Sequence, residues 1–354
     1  MLLPRCSALQ QGVVMTLSSV LTRFLVLATC VALPLLPLPA VAQPNSAEQS
    51  RALERAANAV VGLQVVAVAG ARSANTLGKA RRGSGVVIDD QGLVLTIGYL
   101  ILEADQVLLL TDDNRRVPAR VVAYDLATGF GLVRALSPLK LEPVPIGRAK
   151  AVTDADALMI ASGGEAGALS AAKLVSRRGF AGYWEYQIDD ALFTAPPRPD
   201  HSGAGLFNGR GELVGIGSLI VNDAAGGNQR VPGNMFVPID LLSPILPELI
   251  TRGRSSLSER AWMGVNCVET ASRVRVVRVT EDSPADVAGL EVGDQILTLD
   301  GETITGLESL WKALWKGGAS VRPVSLQIER GGVLRDITVH TVDRAATLRK
   351  AEGV

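Results

Sequence analysis

The sequence predicts a mainly β protein, and two observations carry that prediction. Short runs rich in Val, Ile and Leu recur between residues 62 and 238, with Gly, Pro, Asn and Asp between them. These runs fall into two successive series, 62–135 and 157–238, which is typical of two antiparallel barrels or sandwiches in tandem. A polar linker and a smaller compact unit follow. We therefore expect two β modules and a third domain.

The first 42 residues are typical of an export signal peptide. Two arginines precede an apolar run from Phe24 to Leu38, and Ala40, Val41 and Ala42 form a small-residue cleavage pattern. The run is short for a membrane span, which needs about 20 residues, so we expect membrane attachment only through an uncleaved signal. A start at Met15 gives the same exported product. The sequence thus predicts a periplasmic or secreted protein that begins near residue 43.

The composition excludes several classes of function. The chain has 35 basic and 35 acidic residues, and this balance offers no excess of positive charge for nucleic acid. After removal of the signal only Cys267 remains among the cysteines, so no intramolecular disulfide is expected. With two separated histidines, the chain also lacks a cluster of metal ligands. We expect neither a metal nor a cofactor.

The predicted barrel region, 43–251, begins and ends with helices. Leu53, Ala56 and Val60 recur at helical spacing within 46–61, and 239–251 has the pattern of a closing helix. The predicted β runs between them are 62–69, 83–88, 93–96, 107–110, 117–124, 131–135, 157–161, 173–176, 185–188, 212–220 and 235–238. Residues 252–260 are polar and predict a linker.

A third domain is predicted at 261–343, with a short tail at 344–354. The pattern of Leu307, Leu310, Trp311 and Leu314 places apolar side chains along one side of a helix. Most of these side chains are expected to face the core of the domain. The domain needs no catalytic role to account for them.

Ser202 is the candidate nucleophile, since it lies among the small residues of 199–206. A serine hydroxyl is a weak nucleophile unless a neighbouring group takes its proton. The chain has only His201 and His340 as imidazoles. His201 adjoins the serine, so its ring is expected to project elsewhere, and His340 occupies a solvent-facing position of an alternating strand. Neither is well placed to act as the base.

The order of these segments resembles the HtrA (Deg) family of exported trypsin-like serine proteases. That resemblance implies a chymotrypsin/trypsin-like domain of two six-stranded barrels, followed by a PDZ domain. It covers nearly all of the mature chain. The residues that carry it are 83–88 (Gly-Ser-Gly-Val-Val-Ile), 92–96 (Gly-Leu-Val-Leu-Thr), 199–206, 211–216 (Gly-Glu-Leu-Val-Gly-Ile), 236–239 (Phe-Val-Pro-Ile) and 283–297.

The resemblance also shows which catalytic positions have changed. Tyr99 stands where the family has its histidine, and Gly129 stands where it has its aspartate. An isolated phenol titrates near pH 10, so Tyr99 is expected to keep its proton at neutral pH. Asp200 replaces the glycine that normally supplies an oxyanion-hole N–H, and an ionised carboxylate there opposes a developing oxyanion. Ser202 is retained without its usual partners.

The resemblance assigns peptide binding to the PDZ domain. It implies that Trp262, Met263, Gly264 and Val265 form the loop that holds a terminal carboxylate, and that a helix carrying Leu310 forms the other wall of the groove. Met263, Val265 and Leu310 indicate a preference for apolar terminal residues, although a plain core role remains open for each.

These observations predict an HtrA-like pseudoprotease that binds polypeptide C-termini or unfolded segments of envelope proteins, as a scaffold, an adaptor or a regulator of an active protease relative. One alternative is an active serine endopeptidase with an unconventional base, for which Lys150 and Lys173 are two candidate amines in the barrel region. Another is a holdase chaperone.

The resemblance also implies an assembly of three subunits, built through aromatic residues near the mature N-terminus. No Phe, Trp or Tyr occurs between residues 43 and 82, so a homo-oligomer would use another contact.

Overall fold

The computed structural model describes residues 46–165, 167–227 and 229–349. The predicted signal peptide and the end of the predicted tail lie outside the described residues. The α-helices are α1 (Ser46–Asn58), α2 (Ala74–Leu77), α3 (Gly98–Ile101), α4 (Leu246–Arg252), α5 (Pro284–Val287) and α6 (Leu307–Lys316). Short 3-10 helices lie at Ala149–Ala151, Ile239–Leu241, Ser256–Ser258 and Arg344–Thr347.

The first β module is a closed antiparallel barrel of six strands. Its strands pair in the order β1-β2-β3-β6-β5-β4. They are β1 (Val60–Ala67), β2 (Ala80–Val87), β3 (Leu93–Ile97), β4 (Ala104–Leu110), β5 (Arg116–Tyr124) and β6 (Phe130–Ala135). Closure leaves no free sheet edge, so each strand has two neighbours in the barrel.

The second module is also a closed six-stranded barrel, with the order β10-β11-β12-β9-β8-β7. Its strands are β7 (Leu158–Ala161), β8 (Leu169–Ala181), β9 (Gln187–Ala195), β10 (Gly205–Phe207), β11 (Leu213–Val221) and β12 (Gly233–Pro238). One continuous apolar core fills both barrels. The predicted pair of β modules is thus confirmed, and both modules are barrels.

The third domain has its own core around the fully buried Trp311. Its main sheet has the order β14-β15-β16-β18-β19, while β17 pairs with β16, and β13 pairs with β20. The strands are β13 (Ala261–Trp262), β14 (Val265–Thr270), β15 (Arg273–Val279), β16 (Gln295–Leu299), β17 (Glu302–Thr303), β18 (Pro323–Arg330), β19 (Val333–His340) and β20 (Val342–Asp343). Leu310, Trp311 and Leu314 of α6 are buried as predicted.

The observed elements differ from the sequence predictions at several places. The single closing helix at 239–251 is wrong, because a 3-10 turn and α4 occupy this range and Pro244 lies between them, where a proline disfavours continuous helix. Strand β10 was not predicted, since it is only three residues long and begins with Gly205. The run predicted from Glu185 begins as strand only at Gln187.

The buried Asp125 joins the first barrel to the linker. It follows β5, and its carboxylate accepts hydrogen bonds from the Thr128 backbone N–H at 2.9 Å and from the Thr128 hydroxyl at 2.7 Å. Across the molecule it also accepts from the backbone N–H of Ser255 at 3.2 Å and from the hydroxyl of Ser258 at 2.5 Å. Several donors thus compensate the burial of this carboxylate.

Candidate functional site

The candidate site lies where the loop before β10 approaches the first barrel. Ser202 belongs to this loop, and its carbonyl accepts a hydrogen bond from the Ser84 N–H of β2 at 2.8 Å. Gly203 follows with a φ of 74°, and a Cβ there would lie 2.0 Å from the Ser84 carbonyl oxygen. Only glycine fits this turn. The backbone therefore fixes the position of the serine.

Tyr99 lies on α3, two residues after the end of β3, and its phenol reaches the serine. The Tyr99 Oη atom lies 2.8 Å from Ser202 Oγ and 2.8 Å from the Ser218 carbonyl oxygen. A phenol has one proton, and a carbonyl can only accept. Both contacts are satisfied when Tyr99 donates to Ser218 and Ser202 donates to Tyr99. The serine proton then rests against a neutral phenol oxygen.

The environment of Tyr99 keeps that phenol protonated. Burial raises the pKa of Tyr99 to about 12, and the hydrogen bond from Ser202 opposes this rise only in part. A base that works near neutral pH needs a pKa near the working pH. The phenol of Tyr99 therefore keeps its proton at neutral pH while it contacts the Ser202 hydroxyl.

Gly129 cannot orient Tyr99, and its surroundings do not accommodate a larger residue without strain. Its φ is 81°, and its carbonyl accepts a hydrogen bond from the Gly98 N–H at 2.7 Å. A Cβ at this position would lie 3.0 Å from the hydroxyl oxygen of Tyr186. That hydroxyl in turn donates to the Thr128 carbonyl at 2.7 Å. A tyrosine thus occupies the space beside the position where the family has its acid.

Asp200 holds its carboxylate in an ion pair beside the serine loop. Arg198 Nε lies 2.9 Å from Asp200 Oδ1, and both Arg198 Nη2 and the Ser162 hydroxyl donate to Oδ2. Burial acts to raise the pKa of Asp200, but the hydrogen bonds from Arg198 and Ser162 outweigh it, and the pKa falls below its usual range. The carboxylate is therefore ionised at neutral pH. Asp200 is not among the residues with positive φ, so it avoids left-handed backbone strain.

The other candidate bases lie away from this arrangement. His201 Nδ1 faces the Arg198 carbonyl at 3.0 Å, and burial lowers the pKa of its imidazole. His340 is exposed on β19, as predicted, and Lys150 and Lys173 are exposed as well. Among the groups considered from sequence, only Tyr99 contacts the Ser202 hydroxyl.

A second site lies in the third domain, where an internal carboxylate fills the predicted carboxylate loop. The backbone N–H groups of Met263, Gly264 and Val265, here called the cradle, all donate to the side chain of Glu185. The N···O distances are 3.1 Å from Met263, 2.7 Å from Gly264 and 3.1 Å from Val265. Burial raises the pKa of Glu185 to about 7, against the opposing effect of these three donors. Sequence reasoning missed Glu185.

The side chains around the cradle have mixed roles. Met263, Val265 and Leu310 are all buried in the core of the domain, whereas Trp262 is partly exposed. Gly264 has a φ of 92°, and a Cβ there would lie 2.2 Å from Ser283 Cβ. The cradle therefore depends on glycine at this position.

One cavity of about 460 Å³ connects the two sites. Tyr99, Gly129 and His201 line it on the barrel side, and Trp262 and Gly264 line it on the side of the third domain.

In the described part of the chain, no group of three or more His, Cys, Asp or Glu side chains is arranged to hold a metal ion. No helix within 46–349 that the structure describes is long and apolar enough to span a membrane.

Comparison with known families defines the class of protein. Residues 83–216 match the trypsin-like peptidase domain, and residues 261–341 match the PDZ domain. Two closed barrels followed by a PDZ domain are the architecture that the resemblance implied, and the fold class is confirmed. The chain thus combines a trypsin-like peptidase domain with a PDZ domain, and it is similar to the DegP-like and DegS endoproteases.

The relatives are named as serine endoproteases. A probable periplasmic serine endoprotease, DegP-like, from Pseudomonas fluorescens is 29% identical over 72% of this chain and 55% of its own length. The serine endoprotease DegS of Escherichia coli is 27% identical over 83% of this chain and 86% of its own length. The chain thus spans little more than half of the DegP-like relative.

Solved structures share the fold at lower identity. The serine endoprotease from Yersinia pestis has a TM-score of 0.52 and 23% identity, covering 85% of this chain and 99% of that chain. The HtrA-type protease AlgW with a decapeptide has a TM-score of 0.51 and 23% identity, covering 85% and 98%. At this identity the likeness concerns the fold alone.

Proposed function

We propose that this chain is an exported HtrA-type pseudoprotease that binds polypeptide C-termini or unfolded segments of envelope proteins through its PDZ domain. It serves as a scaffold, an adaptor or a regulator, and an active protease relative is a candidate partner. The observation that carries the proposal is the 2.8 Å contact between Tyr99 Oη and Ser202 Oγ, which puts a neutral phenol at the position of the base. The periplasmic names of the relatives favour the same compartment.

The geometry around Ser202 supports the proposed loss of peptidase activity. Attack needs a group that takes the serine proton as the new bond forms. The phenol of Tyr99 already holds its own proton and donates it to the Ser218 carbonyl, so it cannot accept a second one at neutral pH. In a measured serine protease, loss of the base lowers turnover by a factor of about 10⁶. A similar loss is expected here.

The negative charge of Asp200 adds a second obstacle. An oxyanion hole works by presenting preorganised N–H dipoles to a developing negative charge. Here an ionised carboxylate, paired with Arg198, stands at the position that supplies one of these N–H groups. Arg198 offsets much of this charge, so the remaining repulsion of the tetrahedral intermediate is a smaller obstacle than the lack of a base. Both the base and the oxyanion site are therefore impaired.

The PDZ domain retains the groups that bind a peptide. The three N–H groups of the cradle donate to a carboxylate, that of Glu185, and the adjoining β14 is an edge strand of the PDZ sheet. A peptide that adds to such a strand gains backbone hydrogen bonds, and the cradle selects a terminal carboxylate. Both interactions involve the peptide main chain and its terminal carboxylate rather than particular side chains. They therefore favour a role in binding exposed chain ends.

Two assays test the proposal together. The purified mature chain is expected to leave unfolded casein intact, and a peptide array is expected to show binding to free C-termini that amidation abolishes. Steady casein cleavage that is lost in Ser202→Ala would contradict the pseudoprotease assignment. Equal binding to free and amidated peptides would contradict carboxylate recognition.

Active peptidase function remains the second candidate. It is favoured by the retention of Ser202 and by the serine endoproteases among the relatives. In that case Tyr99, as the residue in contact with the serine, is the group that would have to act as the base. The casein assay separates this alternative from the first proposal.

A further inference from the structure

Residues 182–185 lie along β14 as a short added strand. The N–H of Cys267 donates to the Tyr183 carbonyl at 2.6 Å, and Trp184 pairs with Asn266 in an antiparallel bridge. The segment then reaches the cradle, where the Glu185 carboxylate accepts its hydrogen bonds. A peptide that binds a PDZ groove adds to the same strand with its carboxylate end in the same loop. The segment therefore has the position and the direction of such a ligand.

The opposite wall of the groove also contacts this segment. Trp311 of α6 donates its indole N–H to the Gly182 carbonyl at 3.0 Å. Ala181, the last residue of β8, packs against the apolar core of the PDZ domain. Strand β14, helix α6 and the cradle are thus all engaged by one stretch of the second barrel.

Aromatic side chains hold the segment in this position. The rings of Trp184 and Tyr186 stack with centroids 5.6 Å apart, and Phe180 lies 6.2 Å from each of them. The hydroxyl of Tyr186 anchors the cluster to Thr128 of the first barrel. Packed aromatic rings reduce the conformational freedom of the segment before it meets the groove.

We propose that residues 182–185 are an internal ligand of the PDZ groove, and that an external polypeptide C-terminus binds only by displacing them. The inference rests on the proposed function, because it concerns control of the same groove. Each cradle N–H has a single proton to donate, so the Glu185 carboxylate and an external carboxylate compete for the same three donors.

Tethering gives the internal ligand an advantage. Because residues 182–185 belong to the same chain as the groove, they compete intramolecularly, at an effective concentration that does not fall on dilution. Only molecules whose groove is open can bind an external peptide. The apparent dissociation constant of the peptide therefore equals its intrinsic value divided by the fraction of molecules with an open groove. Displacement would also move Trp184 and Tyr186, which line the cavity beside Tyr99 and Gly129. Binding of an external peptide in the groove would therefore change the lining of the cavity beside Tyr99.

The test uses a fluorescein-labelled peptide that copies residues 179–184 and ends in a valine with a free carboxylate. Its binding to the mature chain at pH 7.5 is followed by fluorescence anisotropy. The Glu185→Ala variant lacks the competing carboxylate, and we expect it to bind the peptide about 10-fold more tightly than the wild type. The matched control is Asp189→Ala, which removes an exposed carboxylate from the neighbouring β9.

Hydrogen exchange supplies a second measurement that needs no peptide. We expect the amides of Gly264 and Val265 to exchange slowly in the wild type and in Asp189→Ala, and faster in Glu185→Ala, while the amides of the main sheet are unchanged. Equal peptide affinity in all three proteins, with unchanged exchange of the cradle amides, would overturn the internal ligand. Faster exchange in Glu185→Ala without peptide binding by any of the proteins would support the internal ligand and contradict the proposed peptide-binding function.

Discussion

The phenol of Tyr99 determines the chemical state of Ser202. It lies within hydrogen-bond distance of the serine hydroxyl, as a catalytic base would, yet burial raises its pKa to about 12. A histidine at the same place would titrate near 6.5 and could take up the serine proton. We therefore propose that tyrosine at position 99 preserves the contact with Ser202 without supplying a base at neutral pH.

Tyr99→Phe tests the role of this hydroxyl. The change leaves the buried Ser218 carbonyl and the Ser202 hydroxyl without a partner, so we expect the free energy of unfolding to fall by about 1 kcal/mol. The measurement is urea denaturation followed by circular dichroism. Tyr183→Phe is the matched control, because Tyr183 is 57% exposed and its change is expected to be neutral. Wild-type casein cleavage that disappears in Tyr99→Phe would instead identify the phenol as a base.

Gly129→Ala tests whether position 129 can hold a side chain. The φ of 81° disfavours any L residue, and the new Cβ would meet the Tyr186 hydroxyl at 3.0 Å. We expect a loss of about 1 to 2 kcal/mol in the free energy of unfolding. Gly227→Ala is the control, since Gly227 also has positive φ, with nothing within 4 Å of its Cβ position. Equal losses in both variants would show that the Tyr186 hydroxyl does not crowd the site.

At the scale of elements, the connection between β8 and β9 was not foreseen from sequence. Glu185 was predicted as the start of a strand, but it lies before β9 and reaches the PDZ domain. Only 14 residues of the chain are Phe, Tyr or Trp, and four of them are Phe180, Tyr183, Trp184 and Tyr186. This local concentration of aromatic residues was the available signal. The partner of Glu185 could not be predicted, because Glu185 and Gly264 are 79 positions apart in the chain.

Other elements were predictable for clear physical reasons. Helix α6 has apolar side chains at helical spacing, and its buried face is the one that the pattern predicts. Strand β10 has no such pattern, since three residues are too few for an alternation. The proposed replacement of the triad residues rests on resemblance, whereas the contact between Tyr99 and Ser202 required the fold, which joins residues 103 positions apart.

Asp125→Ala tests the junction between the first barrel and the linker. The change removes the acceptor of buried donors from Thr128, Ser255 and Ser258, and we expect the free energy of unfolding to fall by about 3 kcal/mol. Chemical denaturation measures the loss. Asp112→Ala, on an exposed turn, is the control and is expected to be neutral. A neutral effect of Asp125→Ala would contradict the structural role of this carboxylate.

At the scale of the whole molecule, Glu185 links stability to pH. Its pKa is about 7 in the folded protein and near 4.3 in an unfolded chain. Between these values the folded state binds the additional proton, so the contribution of Glu185 to stability is fully present below about pH 4.3 and is lost as pH rises through about 7. Arg344 acts to lower this pKa, and burial outweighs it.

The difference between wild type and Glu185→Gln isolates that contribution, because glutamine keeps an acceptor oxygen and does not titrate. We expect the unfolding free energy of the wild type to fall relative to the variant between pH 4.5 and 7, by on the order of 3 kcal/mol. Denaturation at a series of pH values measures it. Parallel profiles for the two proteins would show that Glu185 does not carry a raised pKa.

Reaction of Ser202 with a fluorophosphonate probe tests the central claim most directly, because the probe reports an activated serine without any need for a substrate. Intact-mass spectrometry of the mature chain after prolonged incubation is expected to show no adduct, as in Ser202→Ala, since the serine proton has no base to accept it. Stoichiometric labelling of the wild type that is absent in Ser202→Ala would contradict the claim that this serine is inactive.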